Sequence, residues 1–288
     1  MKSNKIWLYR ELFREETIST NAVFYRRNMS GKVHKLIILR HGESQWNHEN
    51  KFCGWIDIPL SEKGKSEAAN AGKLIKQFGL DPDIIYTSKL TRSIESGLII
   101  LQYLNKLWIN HIKTWRLNER HYGQYQGRDK HEVFKSLNSD KEQFQYIRRN
   151  YHGLPPLIEG KDPSIDERYS DIVNKDILPR GESLELVMKR LIPYFVSEIV
   201  HHQLIQLDKT VLIVTHGSIV RSLIKYLSNV SDDDISNINV PTGVPLVFEI
   251  DDNAELVRDY YYLDPELAQR GMEKVKNEGL KKEPHVNL

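Results

Sequence analysis

Leu36-Ile37-Ile38-Leu39-Arg40-His41-Gly42 and Val211-Leu212-Ile213-Val214-Thr215-His216-Gly217 are one pattern used twice. Each is a short aliphatic run that ends in His-Gly. Such a run reads as a buried strand, and in an α/β fold ligands gather beyond the carboxyl ends of the strands. The two runs therefore predict two imidazoles at the mouth of one sheet, beside backbone left bare by glycine. Arg40 places a fixed positive charge next to the first.

Outward from the first run, Ser61 reads as a helix N-cap, with Ala68, Ala71, Leu74, Ile75 and Phe78 at helical spacing before Gly79. Residues 83–87 predict a second strand, Ile94, Leu98 and Leu101 a second helix, and residues 111–115 a third strand. Strand, helix, strand, helix, strand is the order of a parallel sheet with helices on its faces. From about 120 to 180 the periodicity fails amid charged and aromatic residues, Pro155-Pro156 and Pro163, which predicts a functional insertion or a lid. A long helix resumes near Glu182, carries Leu184, Val187, Leu191, Phe195 and Ile199 on one side, and is expected to kink at Pro193. After the second His-Gly come a helix from about Ser218 and a last strand at 246–250.

The 288 residues suffice for one large α/β domain, and 40% hydrophobic with 28% charged is ordinary globular composition. A net charge of +2 argues against nucleic acid as a partner, so any anion preference rests on local Arg and Lys clusters. One cysteine, Cys53, excludes an internal disulfide and a Cys-based zinc site and fits a reducing, cytoplasmic setting. No apolar stretch approaches the ~20 residues that span a bilayer. The first thirty residues mix arginines with Glu11, Glu15 and Glu16, so they read as a flexible extension and not a transit peptide. Walker and dinucleotide glycine fingerprints are missing, and no metal-ligand spacing accompanies the His-Gly sites.

The chemistry these residues suit is phosphoryl transfer. Neutral imidazole accepts a phosphoryl group at one ring nitrogen while the other is held by a hydrogen bond, and neighbouring arginines disfavour imidazolium. His41 alone could equally be a strand-end cap; His216 in the same setting and Arg40 beside His41 argue for a nucleophile. Arg92, Arg120 and Arg148-Arg149 are candidate phosphate ligands through two-pronged guanidinium contacts, although each taken singly reads as surface charge. Glu119 is a candidate proton donor and acceptor, or else an ion-pair partner of Arg120.

Arg40-His41-Gly42-Glu43-Ser44-Gln45-Trp46-Asn47, Gly54-Trp55, Leu60-Ser61, Tyr86-Thr87-Ser88 with Arg92, residues 119–123, Lys130, Arg148-Arg149, His216-Gly217 and residues 241–247 stand in the order of a known family. Together they resemble the cofactor-dependent phosphoglycerate mutases of the histidine phosphatase superfamily, over about residues 34–264. The resemblance implies a three-layer sandwich with a mostly parallel sheet, helices on both faces and a helical or irregular insertion over the site. The chain is expected to divide into a flexible extension at 1–32, a catalytic domain at 33–265 with its insertion at about 123–180, and a mobile tail at 266–288. The implied reaction interconverts 3-phosphoglycerate and 2-phosphoglycerate through a phosphohistidine at His41, primed by 2,3-bisphosphoglycerate. Glu119 would move the proton; His216, Arg40 and Arg92 would stabilise the phosphoryl group. Asn47, Cys53, Gly54, Arg120, His121, Tyr122, Lys130, Arg148, Arg149, Gly217 and Ser218 would bind substrate. Small phosphorylated three-carbon acids are the implied partners, and a homodimer or homotetramer the implied assembly.

The chain also departs from that family. Cys53 stands where the family has Ser or Thr, and Ser218 where it has Asn. Tyr125, Arg128 and Asp129 replace the usual residues near Lys130, and the N-terminal extension is unusual. This is the pattern of a divergent paralogue with reduced mutase activity. A small-molecule phosphatase, or a weakly catalytic homologue that binds ligands or partners, is the alternative reading.

Overall fold

A computed structural model describes residues 31–278. The expected extension, except for its last two residues, and residues 279–288 of the expected tail lie outside the described residues. In chain order the elements are β1 Val33–Arg40, α1 Gln45–His48, α2 Glu62–Gln77, β2 Ile84–Thr87, α3 Thr91–Tyr103 and β3 Asn110–Lys113. The expected insertion holds α4 Lys130–Ser136 and α5 Lys141–Arg149. Then follow α6 Leu184–Tyr194, a π-helical stretch Phe195–Gln206, β4 Val211–Thr215, α7 Gly217–Leu227, β5 Leu246–Asp251, β6 Tyr261–Tyr262 and α8 Pro265–Asn277.

The strands form one sheet in the order β3-β2-β4-β1-β5-β6. Pairing is parallel from β3 to β1, and antiparallel between β1 and β5 and between β5 and β6. Side chains alternate across it with period two. Leu36, Ile38, Val211 and Ile213 face Val187, Leu191, Phe195, Ile199 and Leu223 of α6, the π-helical stretch and α7. Ile37, Leu39, Leu212 and Val214 face Ala71, Ile75, Ile100 and Leu101 of α2 and α3. Helices therefore cover both faces, and β1 and β4, buried on both sides, read as unbroken aliphatic runs.

Several elements differ from expectation. The third strand ends at Lys113, and Trp115 begins a 3₁₀ turn capped by Thr114. At Pro193 the long helix does not simply kink. The missing N–H interrupts the i→i−4 ladder, and the helix widens to π-type pairing from Phe195. The tail expected to be mobile from 266 begins with an ordered helix. Asp264 caps α8, Pro265 fits its first turn, and Ala268 and Val275 are buried along one side.

Candidate active site

β1 and β4 are adjacent and parallel, with Arg40 opposite Thr215, so His41 and His216 leave the sheet on the same rung. The His41 N–H donates to the Thr215 carbonyl at 2.8 Å. The two rings lie 4.9 Å apart between centroids, edge to face at 68°. His41 Nδ1 is 2.6 Å from the Gly42 carbonyl oxygen and must carry a proton to bond there, which leaves the Nε2 lone pair free. His216 Nε2 is 2.8 Å from Ser88 Oγ, which itself accepts from the Leu90 N–H. The Ser88 hydroxyl, with one donor and two acceptor sites, serves either tautomer of His216, whose Nδ1 is a buried atom with no hydrogen-bond partner among the described residues. Ser88 stood out in the sequence only within the Tyr86-Thr87-Ser88 segment of the resemblance, with no role of its own.

Glycine makes this corner possible. A Cβ on Gly42 would stand 2.1 Å from the Gly64 carbonyl oxygen, and one on Gly64 would stand 2.0 Å from that of Glu43. The first turn of α2 therefore packs backbone to backbone on the His41 loop. Ser61, its N-cap, clamps the same loop by donating N–H and Oγ–H to the Glu43 carbonyl at 2.9 and 3.1 Å.

Beside the imidazoles lies a cavity of about 70 Å³. Arg40, Asn47, Cys53, Gly54, Glu119, Tyr122, Lys130, Arg148, Arg149, Gly217 and Ser218 line it, as do Arg221 and Glu278, which the sequence reading missed. Arg221 was legible in principle: with Gly217 and Ser218 it falls on one face of α7, at helical spacing. Glu278 carried no local signal, because its place depends on how α8 docks.

Neither histidine lines the cavity. His41 is 3% exposed and His216 fully buried, so the two imidazoles predicted at the mouth of the sheet form a touching pair beneath the pocket wall. The cause is local: Arg40 lies across Gly217, its Nε 3.5 Å from where a Cβ would stand. Burial first, then Arg92 and Arg40, holds His41 far below the ordinary imidazole range. For His216 the causes are burial, then Arg92, then His41. Both rings are neutral at physiological pH, chiefly through desolvation and only secondarily through the arginines.

Arg92 also stays off the cavity wall. Its guanidinium donates to the Gly54 and Ile56 carbonyls at 2.7 and 3.0 Å, which leaves its buried Nε without a partner. Arg120 and His121 are not among the residues that line the cavity. Arg120 donates to the carbonyls of Glu182, Ile147, Arg148 and Gly153 at 2.6, 2.5, 3.2 and 3.0 Å. His121 Nε2 bonds Asp162 at 2.7 Å, and its Nδ1 accepts from the Gly123 N–H. Both organise loops. Glu119 Oε1 accepts from the N–H groups of Arg120 and Ser218 at 2.8 and 3.2 Å, while its carbonyl is gripped by Trp55 Nε1 and Arg190.

The cavity's balance is cationic. Arg40, Lys51, Lys130, Arg148, Arg149 and Arg221 line it against Glu119 and Glu278. Burial, with Arg120 and Arg148 nearby, pulls Arg221 down to about 10. The buried Nε of Arg40 has no hydrogen-bond partner. This donor set fits a small polyanion. Among the described residues no group of three His, Cys, Asp or Glu side chains is placed to hold a metal ion, and no helix is long and apolar enough to cross a membrane.

A mostly parallel α/β sheet with paired histidines and clustered arginines at its carboxyl end defines a class, and the chain belongs to it: the histidine phosphatase superfamily (branch 1), whose family model matches residues 36–175 and 150–262. Within that class its curated relatives include phosphoglycerate mutases. The chain is 46% identical over 250 residues to Phosphoglycerate mutase 1 of Saccharomyces cerevisiae, covering 86% of this chain and 99% of that one. It is also 46% identical over 251 residues to the 2,3-bisphosphoglycerate-dependent phosphoglycerate mutase of Corynebacterium kroppenstedtii, covering 86% and 98%. Among solved structures, the phosphoglycerate mutase of Bacillus anthracis superposes with a TM-score of 0.59 at 22% identity, covering 84% of this chain and 97% of that one, a likeness of fold.

Proposed function

We propose that the chain is a 2,3-bisphosphoglycerate-dependent phosphoglycerate mutase that interconverts 3-phosphoglycerate and 2-phosphoglycerate. The observation that carries this reading is the His41 ring. Nδ1 is tied to the Gly42 carbonyl, Nε2 keeps its lone pair, and His216 lies against it among arginines. 2,3-Bisphosphoglycerate, when bound, supplies the phosphoryl group that primes the enzyme. His41 Nε2 is the nucleophile that carries the group, and becomes neutral again when it hands it to the substrate hydroxyl. His216 Nδ1–H and the unpartnered Nε–H groups of Arg40 and Arg92 are donors to the oxygens of the group in transit. Glu119 takes the proton from the attacking hydroxyl and returns it to the other oxygen. Arg148, Arg149, Lys130 and Asn47 hold the remaining phosphate and the carboxylate, so alignment and charge stabilisation do most of the work. A homo-oligomer and a cytoplasmic location go with the same reading.

The test is turnover of 3-phosphoglycerate by the purified chain with and without 2,3-bisphosphoglycerate, read by coupled detection of 2-phosphoglycerate. Cofactor-stimulated turnover is expected, and His41→Ala should abolish acid-labile phosphate uptake from the cofactor. Release of inorganic phosphate alone would make the chain a phosphatase; labelling that survives His41→Ala would place the nucleophile elsewhere.

A further inference from the structure

The two cations at the outer side of the cavity already hold an anion, and it belongs to the chain. Glu278 Oε2 lies 3.1 Å from Lys130 Nζ and 2.9 Å from Arg148 Nη2. Arg148 Nη1 donates in addition to the Glu278 carbonyl at 2.9 Å. The Lys130 and Arg148 side chains are each 7% exposed, and that of Glu278 is 18% exposed. Burial alone would raise the Glu278 carboxyl; Lys130, Arg148 and Arg40 overcome it and hold the group well below the usual carboxylate range. Among the described residues, Glu278 is the carboxylate that pairs with these two cations.

We infer that Glu278 is a specificity-determining residue, whose carboxylate occupies the anion subsite of Lys130 and Arg148 and sets the charge an incoming group needs to displace it. This rests on reading the cavity as a phosphoester site. Size comes first. With Glu278 in its wall the cavity measures about 70 Å³, and a water needs about 10–15 Å³ on that measure, so there is room for roughly five waters. A phosphate or carboxylate that bonds both Lys130 and Arg148 takes the place of Glu278, so this wall group withdraws when it binds. Glu278 is the wall residue in the last described turn of the chain, just beyond α8.

Charge then decides what can displace it. Lys130 and Arg148 together carry two positive charges, and Glu278 neutralises one. A phosphate dianion neutralises both. A monocarboxylate only replaces like with like, against a tethered competitor whose effective concentration is of millimolar order or above. Phosphorylated acids therefore win the subsite, and their unphosphorylated counterparts do not.

The experiment uses the full chain, its Glu278→Gln variant, which keeps shape and loses charge, and Glu278→Ala. Calorimetry measures binding of inorganic phosphate, 3-phosphoglycerate and glycerate, with kcat and KM read separately. Both variants should bind phosphate and 3-phosphoglycerate about 5- to 30-fold tighter, the worth of one competing charge-assisted contact. Both should also acquire measurable glycerate binding, and KM should fall. Unchanged or weakened anion binding overturns the proposal, as does tightening for phosphate with glycerate still unbound. The binding arms need no turnover: tighter phosphate binding in a chain without mutase activity would sink the mutase reading alone, and mutase activity with unchanged anion binding would sink this one alone.

Discussion

Cys53 is where single-residue chemistry bears most directly on this chain's activity. Its Sγ lines the cavity, 3.6 Å from Ser44 Oγ and 3.8 Å from Asn47 Nδ2, contacts at the long end even for sulfur. A thiol is a weak donor, so a substrate oxygen held at this position is held poorly. Cys53→Ser should raise kcat/KM by roughly 5- to 30-fold through a lower KM, in line with a hydrogen bond to a charged group; an unchanged value would mean that the thiol is tolerated. At this scale the sequence was informative about residue type and less so about environment. Arg40, His41 and His216 could be picked out because each adjoins an aliphatic strand and a glycine. That burial, more than the arginines, neutralises the imidazoles could not be read, since it follows from how Arg40 lies across Gly217. The loop contacts of Arg120 and His121 were hidden for a related reason: a guanidinium bound to four carbonyls and one bound to phosphate have the same sequence signature.

Among the elements, α2 has the tightest coupling to the site. Its N-terminal turn touches the His41 loop through bare backbone, with Gly42 and Gly64 in mutual contact. Gly64→Ala forces that helix end away from Glu43 and should destabilise the fold by about 2 kcal/mol or more, read as a lower urea midpoint at unchanged slope. Full stability in that variant would mean that the helix end yields freely. β1, β4, α2 and α3 were legible from their apolar period, and α2 also from its Ser61 cap. β6 was not, because a two-residue antiparallel edge leaves no period, and α8 was missed because its apolar stripe is thin among charges. The insertion hid α4 and α5 in the same way: short helices capped by Asp129 and Asp140 do not build a sustained pattern.

For the molecule as a whole, a net charge near zero conceals a cavity where six cations meet two carboxylates. A ligand that satisfies them binds the folded chain and not the unfolded one. Inorganic phosphate at 100 times its dissociation constant should therefore stabilise the protein by about 2.7 kcal/mol, seen as a rise in the urea midpoint; a midpoint indifferent to phosphate would deny an anion site in the native state. The sheet order carries a further consequence for how the protein is made. β1 lies between β4 and β5, both of which come from the far end of the chain. At about 5–20 residues per second, the roughly 170 residues between them keep the first strand on the ribosome without a neighbour for on the order of ten to thirty-five seconds. For that time its aliphatic face and both its edges are exposed, so a nascent chain of this protein is a natural client for chaperones that shield extended hydrophobic segments during synthesis.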